Sequence, residues 1–184
     1  SSKGKGLLLS SISDERNSKV TVIGCGEVGR SSIHKSIQIG ASVTAIDINE
    51  DILNELKNQY GENITTLVSG SESATNAIRS ADLVVGAVLL PGRKPPIVIT
   101  EEDISSMEKG SVIVDVAIDQ GGCVEGVKPN THSEPFEIRN GVIVSAIANL
   151  PGAVPRTSSI ELSTNLQKYV DYLLVENWFD EYKN

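Results

Sequence analysis

Two cysteines in 184 residues are too few for a disulfide framework, and neither Cys25 nor Cys123 has metal-ligand spacing, so no metal site is expected. A reducing, cytoplasmic setting is the simplest expectation. No apolar run approaches the length of a membrane span. The opening S-S-K-G-K-G-L-L-L-S-S holds too short an apolar core for a signal peptide. The Asn63-Ile64-Thr65 sequon is therefore discounted as a glycosylation site. A dense basic run is also lacking, and the formal net charge is −8. Both argue against nucleic acid or an anionic membrane as a partner, and leave a small anionic ligand to be held by local dipoles.

What is present organises around Lys19 to Gly29, K-V-T-V-I-G-C-G-E-V-G. The β-branched run Val20, Thr21, Val22, Ile23 reads as a buried strand, and it stops at Gly24, Gly26 and Gly29, where a helical pattern begins. This is the pattern of a dinucleotide-binding turn. Gly24 permits the tight turn, Gly26 lets backbone N–H groups approach a pyrophosphate, and Gly29 lets the helix pack on its strand. The phosphates would sit at the helix N-terminus. Three such glycines alone are a weak signal. Context strengthens them: the helix pattern runs from Glu27 to Ile39, and a second β-rich run, Ser42 to Ile46, ends in Asp47.

The rest alternates. A helix is expected over residues 50–60 with Asn49 as N-cap, a strand over 64–68, a short helix over 71–79, a buried strand over 82–88, a short helix capped by Thr100, and a buried strand over 111–117. The segment L-L-P-G-R-K-P-P must be a loop at a strand's carboxyl end. Residues 118–135 form a long loop, and Asn140-Gly141 marks a hairpin between 136–139 and 142–146. A final helix is expected from Thr157 to about Phe179, with Ile160, Leu162, Leu166, Val170, Leu173 and Leu174 as an apolar stripe. The fold expected is a doubly wound, mostly parallel α/β sheet with a C-terminal β-ribbon and long helix. In domain terms, residues 1–18 read as a connector, 19–155 as an NAD(H)-binding domain and 156–184 as a helix packing on another domain or subunit.

Asp47 is the expected cofactor selector. A carboxylate there accepts from ribose hydroxyls and repels a 2′-phosphate, and Ile48-Asn49-Glu50-Asp51 offers no cation to hold one, so NAD(H) is expected over NADP(H). The alternative is that Asp47 caps the following helix. Asp119, a few residues past a strand end and followed by Gln120 and two glycines, should face the same crevice. It suits orienting or deprotonating a water; the competing role is a loop aspartate bonding its own backbone. His34 reads as structural, and His132, in T-H-S-E-P, as bracing its loop. Neither cysteine has a visible base partner, which argues against nucleophilic catalysis.

Together G-C-G-E-V-G, D-I-N, A-D-L-V-V-G-A-V-L-L-P-G-R-K-P-P, G-S-V-I-V-D-V-A-I-D-Q-G-G-C and A-N-L-P-G-A-V-P-R-T-S resemble the NAD-binding domain of alanine dehydrogenases, from about Lys5 to Leu174. The resemblance implies oxidation of L-alanine to pyruvate and ammonium with NAD as hydride acceptor. It implies that Gly24, Gly26, Glu27, Val28 and Gly29 cradle pyrophosphate and that Asp47 and Ile48 meet the adenosine ribose. Ser69, Val88 and Leu89 would line the adenosine and ribose path, and Ile118, Ile147, Asn149 and Leu150 would reach towards the nicotinamide, Leu150 replacing the usual Met. Asp119 matches the family's catalytic aspartate. Cys25 stands where Gly or Ala is common and Lys35 where an apolar residue is, changes of packing more than chemistry.

The related NAD(H)-binding component of proton-translocating transhydrogenase shares the outline, but usually has Gln at the position of Asp119 and an insertion after the second strand. The family's substrate domain, which supplies an Arg, a Lys and a His, has no counterpart in this sequence. The implied expectation is a chain that binds NAD(H), meets L-alanine or pyruvate only through that other domain, is inactive alone, and works as a homo-oligomer. A transhydrogenase component or a non-enzymatic NAD(H)-binding module are the alternatives left open.

Overall fold

In the computed structural model, residues 4–10 and 17–173 are described. The first strand, β1 (Lys19–Ile23), is buried from Val20 onwards, as a β-branched strand covered on both faces should be. It is followed by α1 (Glu27–Gln38), β2 (Ser42–Asp47), α2 (Glu50–Tyr60), β3 (Ile64–Val68), α3 (Glu72–Arg79), β4 (Leu83–Gly86), α4 (Glu101–Ser106) and β5 (Val112–Asp115). The hairpin strands β6 (Glu137–Arg139) and β7 (Val142–Ser145) and the long α5 (Pro155–Leu173) complete the described elements.

Among the described residues the strands form one sheet in the order β3-β2-β1-β4-β5-β7-β6. Every pair is parallel except β6 with β7. This is the expected doubly wound sheet with its ribbon. Ile23 aligns with both Ile46 and Gly86, so the carboxyl ends of β2, β1 and β4 come out level. The chain leaves β1 to one side and returns to β4 on the other, which makes this edge the switch point where open α/β sheets take ligands.

Pleating divides the core. Val20, Val22, Val43 and Ala45 pack with Ile33 of α1 and Leu53 and Leu56 of α2. Ile23, Ile46, Val84 and Ile113 pack on the other face with Ile78 of α3 and Ile104 of α4. A fully buried aliphatic such as Ile33 or Leu56 contributes roughly 2 kcal/mol by leaving water. Three helices start on side-chain caps: Asn49 Oδ1 accepts from the Asp51 and Ile52 N–H groups, Ser71 from Ala74, and Thr100 forms a capping box with Asp103.

Two strands end earlier than the apolar runs suggest. β4 stops at Gly86 because Ala87 and Val88 must pass against Gly24, and β5 stops at Asp115 because its side chain turns to accept the Ala117 N–H at 3.0 Å. The hairpin behaves as its Asn-Gly predicts, with φ +51° at Asn140 and +87° at Gly141. Arg139 ties the ribbon to α4 through Glu101, and its Nη1 donates to the Glu125 carbonyl at 2.7 Å.

At the amino ends of the strands Lys5 reaches the buried Asp82 at 2.7 Å and Glu108 at 2.8 Å, and Asp82 also accepts the Lys19 N–H at 2.8 Å. Burial draws the Lys5 ammonium pKa down, but hydrogen bonds and charge from Asp82 and Glu108 outweigh it and hold the pKa above its ordinary value.

The chain divides into two compact units, Ser1–Ala148 and Asn149–Asn184. Within the second, α5 exposes Ile160, Leu162, Leu166, Val170 and Leu173. The expected continuation of this helix to Phe179, with Leu174, lies outside the described residues. No helix among the described residues is long and apolar enough to cross a membrane.

Candidate functional site

The glycine turn is fixed by what its neighbours leave no room for. Gly24, at φ +89°, donates its N–H to the Ile46 carbonyl at 2.9 Å, and a Cβ there would lie 2.6 Å from the Ala87 oxygen. A Cβ on Gly29 would lie 1.9 Å from the Gly24 oxygen, so only glycine lets α1 fold back on its own strand. Gly26 is different. A Cβ there would meet nothing within 4 Å, so it is not needed for internal packing. It is the N-cap of α1 and makes no side-chain cap bond, in contrast to the capped α2, α3 and α4. The first-turn N–H groups of α1 therefore have no side-chain cap, and the helix dipole there favours an anion. The residues fit a bound pyrophosphate: Glu27 and the exposed Val28 flank these donors.

Asp47 closes this turn from the next strand. Its Oδ2 accepts the Cys25 N–H at 2.7 Å and its Oδ1 the Asn49 N–H at 2.9 Å. The cap of α2 is Asn49, so Asp47 is not spent on that role. Each Asp47 oxygen keeps a lone pair for a further donor. The Asp47 carbonyl accepts the Ser69 N–H at 2.9 Å, which places Ser69 at the same edge. Ile48 and Leu89 are largely exposed here, apolar surface beside polar donors, while Val88 is partly packed into the core.

The next two strands bring the other residues to this edge. The Val116 N–H bonds to the Gly86 carbonyl at 2.8 Å, so the loop after β5 leaves beside the end of β4. Ile118 is buried and Asp119 exposed, in a 3-10 turn over Ile118–Gln120. Asp115 went unnoticed in the sequence, where it hid inside an apolar run. It is fully buried and accepts N–H groups from Ala117, Cys123 and Val124. The signal that could have found it is an acidic residue ending a buried strand before a glycine-rich loop. Asn130 was also missed: its Oδ1 accepts the Ala146 N–H at 2.8 Å, and it pairs beside Ile147, holding the extension of β7. Asn149 and Leu150 belong to the second unit, where Asn149 has φ +53° and Leu150 opens a 3-10 turn to Ala153.

The remaining candidates fall away from this chemistry. His34 sits on α1 with Nδ1 3.2 Å from the Tyr60 hydroxyl, a surface contact between helices. His132 is exposed and does not brace its loop. Thr131 does, through Ser133 at 2.9 Å and the Glu134 N–H at 3.1 Å. Burial, and then the Asp47 charge, push the Cys25 thiol up to about 12. Burial and the charge of Asp115 push Cys123 up as well, so neither is a ready thiolate. No cluster of three or more His, Cys, Asp or Glu among the described residues is placed to hold a metal. A groove of about 560 Å³ lies at the opposite, amino-terminal ends of β1, β2 and β3, lined by Lys19, Ser42, Asn63 and neighbours. It lacks the glycine turn and the uncapped helix, so the carboxyl-terminal edge remains the candidate site.

Comparison with known proteins identifies the family and the fold. A family model described as Alanine dehydrogenase/PNT, C-terminal domain matches residues 1–183. The alanine dehydrogenase of Bacillus subtilis (strain 168) is 48% identical over 161 residues, covering 87% of this chain and 43% of that protein. A solved L-alanine dehydrogenase superposes with TM-score 0.88 at 38% identity, covering 95% of this chain and 48% of that one. A transhydrogenase from Sinorhizobium meliloti shares the fold, with TM-score 0.76 at 24% identity over 95% of this chain and 49% of that one. The chain spans about half the length of the curated relatives it matches. With its Rossmann-like nucleotide-binding fold and a match along almost its whole length, the chain belongs to the alanine dehydrogenase/PNT C-terminal domain family.

Proposed function

We propose that this chain is the NAD(H)-binding half of an alanine dehydrogenase. The observation that carries the reading is the α1 N-terminus: uncapped, fronted by Gly26 in open space, and facing the carboxylate of Asp47. Pyrophosphate binds the N–H groups of the turn and first helical turn, with Gly24, Gly26, Glu27, Val28 and Gly29 as its cradle. Asp47 accepts from the adenosine ribose, with Ile48, Ser69, Val88 and Leu89 along that end, and its charge repels a 2′-phosphate, so NAD(H) is preferred to NADP(H). Across the sheet from Asp47 to the Asp119 loop there are three strand spacings, about 14 Å, which suits an extended dinucleotide. Ile118 and Ile147 lie on the nicotinamide side.

When bound, NAD supplies the hydride acceptor. The chain's own contribution is to exclude water from the apolar wall beside Ile118 and to place Asp119 where its carboxylate orients the water that attacks the imine of oxidised alanine. In the balance, L-alanine, NAD and water give pyruvate, ammonium and NADH with release of a proton. Groups that hold the substrate carboxylate come from the other half of the complete protein, and the exposed apolar stripe of α5 packs against that half or another subunit. We favour this over the transhydrogenase reading because the match there is to the fold at 24% identity.

The test is turnover of L-alanine with NAD by the complete protein and by this chain. The complete protein should reduce NAD with alanine, and the chain alone should bind NADH without alanine-dependent turnover. Asp119→Asn in the complete protein should lower kcat by roughly a hundredfold, in the range expected of general acid–base groups. Near-normal turnover would remove Asp119 from the chemistry.

A further inference from the structure

The loop that carries Asp119 begins and ends on one side chain. Asp115, the last residue of β5, has no exposed surface. Its Oδ1 accepts the Ala117 N–H at 3.0 Å and the Cys123 thiol at 3.5 Å, and its Oδ2 accepts the N–H groups of Cys123 at 2.8 Å and Val124 at 3.0 Å. Four donors fill the acceptor sites of the carboxylate. Within this clamp the loop closes on itself, Gly121 N–H to the Ile118 carbonyl at 2.9 Å and Gly122 N–H to the Ala117 carbonyl at 3.1 Å.

The exit of the loop is tied to the rest of the crevice. The Cys123 carbonyl accepts the Val98 and Ile99 N–H groups at 2.9 and 3.3 Å, at the close of the proline-rich loop after β4. The Cys123 sulfur lies where a Cβ on residue 86 would be 2.5 Å away, so it fits only against Gly86. One buried carboxylate thus joins the loop of Asp119 to the loop of Val88 and Leu89. Asparagine would put N–H groups against some of these donors, so it cannot replace the clamp despite its shape.

We propose that Asp115 is a positioning residue, which by clamping both ends of the 117–124 loop holds Asp119 in place against the nicotinamide half of bound NAD(H). This rests on the NAD(H) reading of the crevice. ADP fills only the adenosine and pyrophosphate part of that crevice, so any disturbance of the Val88 and Leu89 loop falls on both ligands and cancels in the ratio of NADH to ADP affinity, which a purely structural role would leave unmoved.

The experiment measures both affinities by calorimetry on the wild-type chain, Asp115→Asn, Asp119→Asn and the double variant. Asp115→Asn should lower the ratio roughly tenfold, about 1.4 kcal/mol, whatever smaller change the Val88 and Leu89 loop passes to ADP binding. Asp119→Asn should lower it in the wild-type background and add nothing in the Asp115→Asn background. Gly122→Ala opens the clamp by another route, since its Cβ would lie 2.9 Å from Asp115 Oδ2 at φ +74°, and it should lower the ratio even if Asp115→Asn does not fold. An unchanged ratio in a folded Asp115→Asn, or in Gly122→Ala, overturns the positioning role. Equal binding of NADH and ADP by the wild type overturns the placement of Asp119 and the role of Asp115 with it. Binding of neither nucleotide overturns the NAD(H) reading itself.

Discussion

The amino-terminal edge of the sheet and the glycine turn at its carboxyl-terminal edge treat their polar groups in opposite ways. At the amino-terminal edge charges are spent inward: Lys5 is paired with Asp82 and Glu108, and Asp82 also takes the Lys19 N–H. At the carboxyl-terminal edge the turn is equally tight, yet its donors point outward, because Gly26 leaves the first turn of α1 without an internal acceptor. Satisfied polar groups stabilise a fold, whereas donors left pointing out of an ordered turn are available to a ligand. The difference separates an edge built for stability from a turn that keeps donors available to a ligand.

The comparison predicts that damage at one edge should be silent at the other. The largest effect is expected for Asp82→Ala, which leaves the Lys5 ammonium only the exposed Glu108 and takes the acceptor from the Lys19 N–H, lowering stability by about 3 kcal/mol in chemical denaturation, while the folded protein keeps its NADH affinity. Gly26→Ala should do the reverse. It meets no atom of the protein, so stability should hold within about 0.5 kcal/mol, but the methyl group blocks the pyrophosphate and NADH affinity should fall more than tenfold by titration.

Lys5→Met refines the first claim through pH. The folded pKa of Lys5 lies above its unfolded value, so its contribution is fully present below the model-compound value of 10.5 and is lost as pH rises through the folded pKa. Denaturation curves of the variant and wild type should therefore differ at neutral pH and converge only in strong alkali. The smallest effect is expected at Asp103, in the capping box of α4. Burial alone would raise its pKa, but hydrogen bonds from Thr100 and the Arg79 guanidinium more than offset this and hold it below 3.8. Its contribution is present above the unfolded pKa and lost as pH falls through the lower, folded one. Asp103→Asn should cost about 1 kcal/mol at neutral pH, and the difference should vanish in acid.

The parts legible in the sequence were those whose cause is local. Gly24 and Gly29 announce themselves because the contacts that demand glycine lie within one strand, turn and helix, and Asn49, Ser71 and Thr100 cap helices a few residues away. Asn140-Gly141 likewise carries its turn in its own dihedrals. What stayed hidden depends on partners distant in the chain. Lys5 and Asp82 are 77 residues apart, and the early end of β4 reflects Gly24 pressing on it. Asp115 was hidden for another reason: it sits in a run that reads as one buried strand, and the donors that consume its carboxylate lie in the loop that follows. The apolar stripe of α5 was legible as a pattern because its helical spacing lies within one element.

The central claim is that the outward-facing turn and Asp47 together select NAD(H). The most direct measurement is calorimetric titration of this chain with NADH and, separately, with NADPH. Saturable binding of NADH at least tenfold tighter than NADPH is the predicted result, and equal affinity for the two, or no binding of NADH, would contradict it.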